Sequence, residues 1–185
     1  MHGSGAPSPW VQRWAHLIRS GGCVLDVACG SGRHVQMLAE AGHRVTALDR
    51  DGAALAGLQT VAECIQADIE AGPWPLPGRR FDAVVVTNYL WRPLLPTLRD
   101  ALAEAGVLIY ETFADGQQHI GRPSRPEFLL QPGELLQAFA GLWVVAFEDG
   151  FDAHPAPGRC VQRIVAVRGA PGPRTLQPPP GKLTG

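Results

Sequence analysis

Charge is scarce in this chain. Asp, Glu, Lys and Arg together make up 18% of its 185 residues, and the formal net charge is −1. A near-neutral protein exerts no bulk attraction on polyanions, which argues against nucleic acid or an anionic membrane surface as its main partner. All but one of the 16 basic residues are arginine, Lys182 being the exception, so a local arginine-lined groove stays open. Cysteine is sparse as well. Cys23, Cys29, Cys64 and Cys160 form no C-x-x-C pair and no His-rich cluster with zinc spacing, so no metal site is expected and buried reduced thiols are the favoured reading. No apolar run approaches the length that crosses a bilayer. The amino terminus has no basic segment followed by an apolar core. The expected compartment is the cytoplasm, with no membrane partner, and nothing in the sequence specifies an oligomeric state.

Glycine and proline, by contrast, are plentiful, with 22 and 17 residues, and they punctuate an alternating pattern. Residues 1–8 read as a flexible start. A helix is expected from Pro9, with Ser8 as its cap and Trp10, Trp14, Leu17 and Ile18 at helical spacing. Strands are expected at 23–28, 44–48, 62–66, 81–87 and 106–112, with helices at 33–41, 51–59, 93–103 and 132–140. Two final strands, 142–148 and 160–168, are joined by a segment with two prolines and no helical pattern, which favours an antiparallel hairpin. The 114–131 segment is a polar loop long enough to suggest function. The tail 169–185 reads as flexible. Strand–helix alternation implies an α/β fold: a doubly wound, mostly parallel seven-stranded sheet ending in an antiparallel hairpin, as one domain over residues 9–168.

In such sheets ligands bind beyond the carboxyl ends of the strands, where strand order reverses. The first strand runs into Asp26-Val27-Ala28-Cys29-Gly30-Ser31-Gly32-Arg33, where Gly30 and Gly32 allow a sharp turn and a close ligand approach. A dinucleotide loop would carry a third glycine where Val35 stands. An acid within the strand also disfavours a pyrophosphate and favours a cationic ligand. Asp49 ends the second strand, at a spacing that by itself also suits NAD. Gln66-Ala67-Asp68-Ile69 ends the third.

Taken in order, these strand-end acids and the glycine pair resemble the class I methyltransferases that use S-adenosylmethionine (SAM). The resemblance implies a Rossmann-like fold and a SAM site. Asp26, Ala28, Gly30 and Gly32 would form its loop, and Arg33 would reach the SAM carboxylate or lie at the surface. Asp49 with Arg50 beside it would hold the ribose, Asp68 and Ile69 the adenine, and Asn88 the methionine part or the acceptor. The stretches Tyr110–Phe113, Gly121–Pro123 and Phe128–Leu135 are similar to small bacterial methyltransferases of the tellurite-resistance type, and the likeness spans roughly residues 20–168. After the fourth strand, Asn88-Tyr89-Leu90-Trp91 lacks the Asn-Pro-Pro-Tyr and Asp-Pro-Pro-Tyr patterns of enzymes that methylate nucleic-acid amino groups, and no Pro-Cys pair is present. A small-molecule methyl acceptor is therefore expected.

Methyl transfer from a sulfonium needs positioning and charge, and needs a base only when the acceptor must lose a proton. Glu111 and His119 are the candidate bases, and Tyr89 is a candidate to orient the acceptor. Trp91 and Arg122 are candidate acceptor contacts, with aromatic packing equally open for Trp91 and loop solubility for Arg122 and Arg125. Competing readings are a SAM-fold protein that acts by binding a partner, a protein or RNA methyltransferase, and an NAD-dependent oxidoreductase.

Overall fold

The computed structural model describes residues 5–154 and 157–169. Residues 1–4 and 170–185, within the flexible ends expected above, lie outside the described residues. Helix α1, Pro9–Trp14, is capped as expected: the Ser8 hydroxyl accepts from Trp10 N–H, with Pro9 at the first helical position, and a 3₁₀ turn at Ala15–Leu17 extends it. Then come β1 (Cys23–Val27), α2 (Arg33–Glu40), β2 (Arg44–Asp49), α3 (Gly52–Ala56), β3 (Glu63–Gln66) and β4 (Phe81–Thr87). The remainder is α4 (Leu95–Asp100), β5 (Leu102–Phe113), α5 (Glu134–Ala138), β6 (Trp143–Asp152) and β7 (Arg159–Val167). No described helix is long and apolar enough to cross a membrane.

The seven strands form one sheet in the order β3-β2-β1-β4-β5-β7-β6. β1 to β5 pair in parallel, while β7 is antiparallel to both β5 and β6. The doubly wound sheet with its terminal hairpin is as the sequence implied. β1 lies between β2 and β4, so strand order reverses there and a crevice opens at the strand carboxyl ends.

The two-residue pleat divides the core. Leu25, Val27, Val84, Val86, Leu108 and Tyr110 pack with α4 and α5 residues on one face. Val24, Ala83, Val85, Val107 and Ile109 pack with Trp10, Trp14 and Val35 on the other. The parity places Asp26 and Glu111 on this second face. A slip of one residue in either strand would send its acid to the opposite face.

Several boundaries differ from the sequence expectation. The helix expected at 93–103 is a 3₁₀ turn, Arg92–Leu94, followed by the short α4. Pro93 and Pro96 withhold two backbone donors, and Leu102 is already paired with Phe81 in the sheet. The helix expected at 132–140 starts only at Glu134, because Gly133 takes a left-handed conformation. Helix α3 ends before Gly57, short of the expected 59. Strand β5 runs 12 residues, longer than expected.

Candidate functional site

The loop between β1 and α2 sets the site's floor. Ala28, Gly30 and Gly32 all have positive φ, at 52°, 54° and 78°, so the turn is left-handed at alternate residues and Ala28 bears a strain a glycine would not. The Gly30 N–H donates to Asp49 Oδ2 at 2.8 Å, and Asp51 N–H donates to Asp49 Oδ1 at 2.9 Å. One carboxylate at the end of β2 thus ties the glycine loop to the start of α3, where Asp51 caps Ala53 and Ala54. Gly32 serves packing, because an added Cβ would overlap the Leu58 side chain.

Over this floor lies a cleft of about 930 Å³, at the upper end of small-molecule pockets. Ala28, Gly30, Arg33, Asp49 and Arg50 line it from the first two strand ends, and Asp68, Ile69 and Glu70 from the third. Asn88, Tyr89 and Leu90 follow from the fourth, and Thr112 and Phe113 from the fifth. The long loop closes the cleft with Arg122, Pro123, Ser124, Arg125 and Phe128. Asp68 Oδ1 accepts from the N–H groups of Glu70 and Ala71 at 3.0 and 3.1 Å, and these hydrogen bonds hold its carboxyl below the usual range. Burial pushes the Tyr89 hydroxyl up, so it stays a donor at neutral pH.

Asp26 sits behind the loop, 1% exposed. Neither carboxylate oxygen has a hydrogen-bond partner among the described residues. Burial pushes its pKa up to about 8; Arg33 opposes that rise and Asp49 adds to it. A buried acid without a partner is costly, and positive charge in the neighbouring cleft would relieve that cost. The Cys29 thiol is likewise pushed up by burial, and by Asp26 and Asp49; it is no thiolate nucleophile.

Five expectations are corrected. Glu111 does not face the cleft. It is wholly buried on the α1 face of the sheet, where it accepts from the Ser8 hydroxyl at 2.9 Å and pairs with Arg163 and Arg159. A carboxylate so saturated and so placed cannot take a proton from an acceptor. His119 is exposed on a 3₁₀ turn of the long loop and does not line the cleft. Trp91 is half-buried against the core, in the packing role left open for it. Gly32 and Asp26, both expected in the cofactor loop, also lie off the cleft surface. Val35, standing where a dinucleotide loop has glycine, is fully buried, which counts against NAD.

Sequence reasoning missed Phe113, Phe128 and Glu70, as well as Arg92, which organises the long loop without touching the cleft. The Arg92 guanidinium donates to the Glu127 and Leu129 carbonyls, each at 2.8 Å, and pairs with Glu134 at 2.6 Å. The only sequence signal was an arginine beside Pro93 in an apolar stretch.

Comparison with known proteins adds to this geometry. Residues 24–107 match the family model described as a methyltransferase domain. No curated protein sequence matches the chain. Among solved structures, TehB from Haemophilus influenzae superposes with a TM-score of 0.73 at 17% identity, over 90% of this chain and 64% of TehB. The chain thus spans less than two thirds of that protein. A TehB-like SAM-dependent methyltransferase from Corynebacterium glutamicum gives 0.65 at 19% identity, over 90% of each chain. Coclaurine N-methyltransferase bound to N-methylheliamine and S-adenosylhomocysteine (SAH) gives 0.63 at 13% identity, over 83% of this chain and 69% of that one. At these identities the superpositions establish the fold. Together with the family match they support the class I methyltransferase resemblance read from the strand-end motifs.

Proposed function

We propose that this chain, with its methyltransferase domain over residues 24–107, is a SAM-dependent methyltransferase acting on a small molecule. The observation that carries the reading is the cleft at the strand-order reversal, where the glycine loop is tied to Asp49 in front of the unpartnered Asp26 carboxyl. When bound there, SAM supplies a methyl group on a sulfonium, which an acceptor lone pair takes while the neutral thioether departs.

The chain's own residues bind and orient. Ala28–Ser31 would present backbone to the ligand, Asp49, which fixes the loop, would hold the ribose, and Asp68 with Ile69 would hold the adenine. Arg33 at the start of α2 lines the cleft and would pair with the methionine carboxylate. Asn88 and Tyr89, at the end of β4, stand between the donor and acceptor sides. Glu111 and His119 have no part in proton transfer. Catalysis then rests on in-line positioning, and acceptors that already carry a free lone pair are favoured. The cleft volume of about 930 Å³ suits a cofactor with a small acceptor rather than a folded macromolecule. Asp49→Ala tests the site: SAH affinity measured by calorimetry is expected to fall about tenfold or more, with the circular dichroism spectrum unchanged. Undiminished affinity would remove Asp49 from the cofactor site.

A further inference from the structure

The two sides of the cleft differ in chemistry. On the glycine-loop side the carboxylates are engaged by backbone N–H groups, Asp49 with Gly30 and Asp51, and Asp68 with Glu70 and Ala71. On the other side the wall is the loop after β5, which brings Arg122, Arg125 and Phe128 to the cleft beside Phe113 and Tyr89.

This wall is held in shape by the fold beneath it. Ala114 and Leu130 form a parallel bridge, and Arg92 holds the Glu127 and Leu129 carbonyls of the loop's returning segment. The Gln117 side chain donates to the Arg122 carbonyl at 3.3 Å and accepts from Cys160 N–H at 2.9 Å. Arg125 is neutralised by an ion pair with Glu127 and lies 5.3 Å over the Phe128 ring. Arg122 has no ion-pair partner among the described residues. Arg122, exposed to solvent, is thus the unpaired arginine of this wall, which Phe113, Phe128 and Tyr89 also line, while Arg33 and Arg50 lie toward the glycine loop.

Building on the methyltransferase reading, we propose that this wall is the acceptor subsite and that the acceptor is a small carboxylic acid with a planar, apolar body. The guanidinium fork matches a carboxylate in a two-pronged hydrogen bond. Phe113, Phe128 and Tyr89 offer the apolar faces that bury a ring at low entropic cost. The charge also selects. On this wall Arg122 alone lacks an ion-pair partner among the described residues, Arg125 being paired with Glu127 and Arg33 and Arg50 lying toward the glycine loop, and that matches a monoanion better than a phosphate dianion.

The test is calorimetry on the full chain, first with SAH, then with the SAH complex titrated with benzoate, phenylacetate and cinnamate and with their primary amides. The acids are expected to bind about tenfold or more tightly than the matching amides. Arg122→Ala should abolish that preference while SAH affinity stays unchanged, and Arg122→Lys should keep part of it. Equal binding of acids and amides, no binding of any acid to the SAH complex, or an intact preference in Arg122→Ala would each overturn the assignment. Failure of SAH to bind is a different result: it overturns the proposed function, and the acceptor subsite with it.

Discussion

A carboxyl group held without a partner inside a protein favours its proton, and Asp26 is such a group. Between its unfolded value of about 4 and its folded value of about 8, the native state binds more protons than the unfolded chain. Stability of the ligand-free protein should therefore fall as pH rises across that window. A tenfold change in acid strength corresponds to about 1.4 kcal/mol, so the effect is large against typical domain stabilities. Urea denaturation of the ligand-free protein at pH 5 and pH 8 should show the loss, and Asp26→Asn should flatten it. A cationic ligand favours the ionised form, so SAM affinity should rise with pH toward 8 in the parent and not in Asp26→Asn. Glu111 has the opposite surroundings, with Arg163, Arg159 and Ser8 around it. Glu111→Gln removes the charge-assisted hydrogen bonds to Arg163 and Arg159, which keep Asp152 and, for Arg163, Glu148 as partners, and should cost about 1–3 kcal/mol in stability. A loss of turnover at unchanged stability would restore Glu111 as a base.

At the scale of elements, the long loop is where sequence and structure diverge most. Its existence was plain from Gly121, Pro123, Pro126 and the polar run around them. Its shape was not, because that depends on Arg92, distant in sequence, whose guanidinium spans to the Glu127 and Leu129 carbonyls and to Glu134. Arg92→Ala should lower stability by about 1–3 kcal/mol through the orphaned carbonyls and carboxylate and expose residues 122–128 to proteolysis. It should weaken acceptor binding more than SAH binding. Equal protease resistance in the two proteins would show that the wall holds its shape without the clamp. The strands themselves were legible, since apolar runs such as Ala83–Val86 leave little choice. Which face a strand-end side chain takes was not. Glu111 and Thr112 are neighbours, yet only Thr112 lines the cleft, and the register that decides this comes from the pairing of β5 with β4 and β7. Helix ends were blurred by proline and glycine, whose effect at α4 and α5 depends on when the sheet reclaims the chain.

Across the whole molecule, the acids that marked the cofactor loop are brought together by topology. Asp26, Asp49 and Asp68 belong to the ends of three different strands, and the order β3-β2-β1-β4 brings Asp49 and Asp68 to one crevice with Asp26 buried behind its loop. That convergence is why ordered strand-end motifs could be read as a site, and why isolated residues such as His119 and Trp91 could not. The cleft gathers charge of both signs, with Asp49, Asp68, Glu70, Arg33 and Arg50 toward the glycine loop and Arg122 and Arg125 on the opposite wall. The measurement that bears most directly on the cofactor assignment is calorimetric titration of the protein with SAM, SAH and NAD. Saturable binding of both adenosyl compounds, with none of NAD, is the expected result. Binding of NAD, or of neither adenosyl compound, would contradict it.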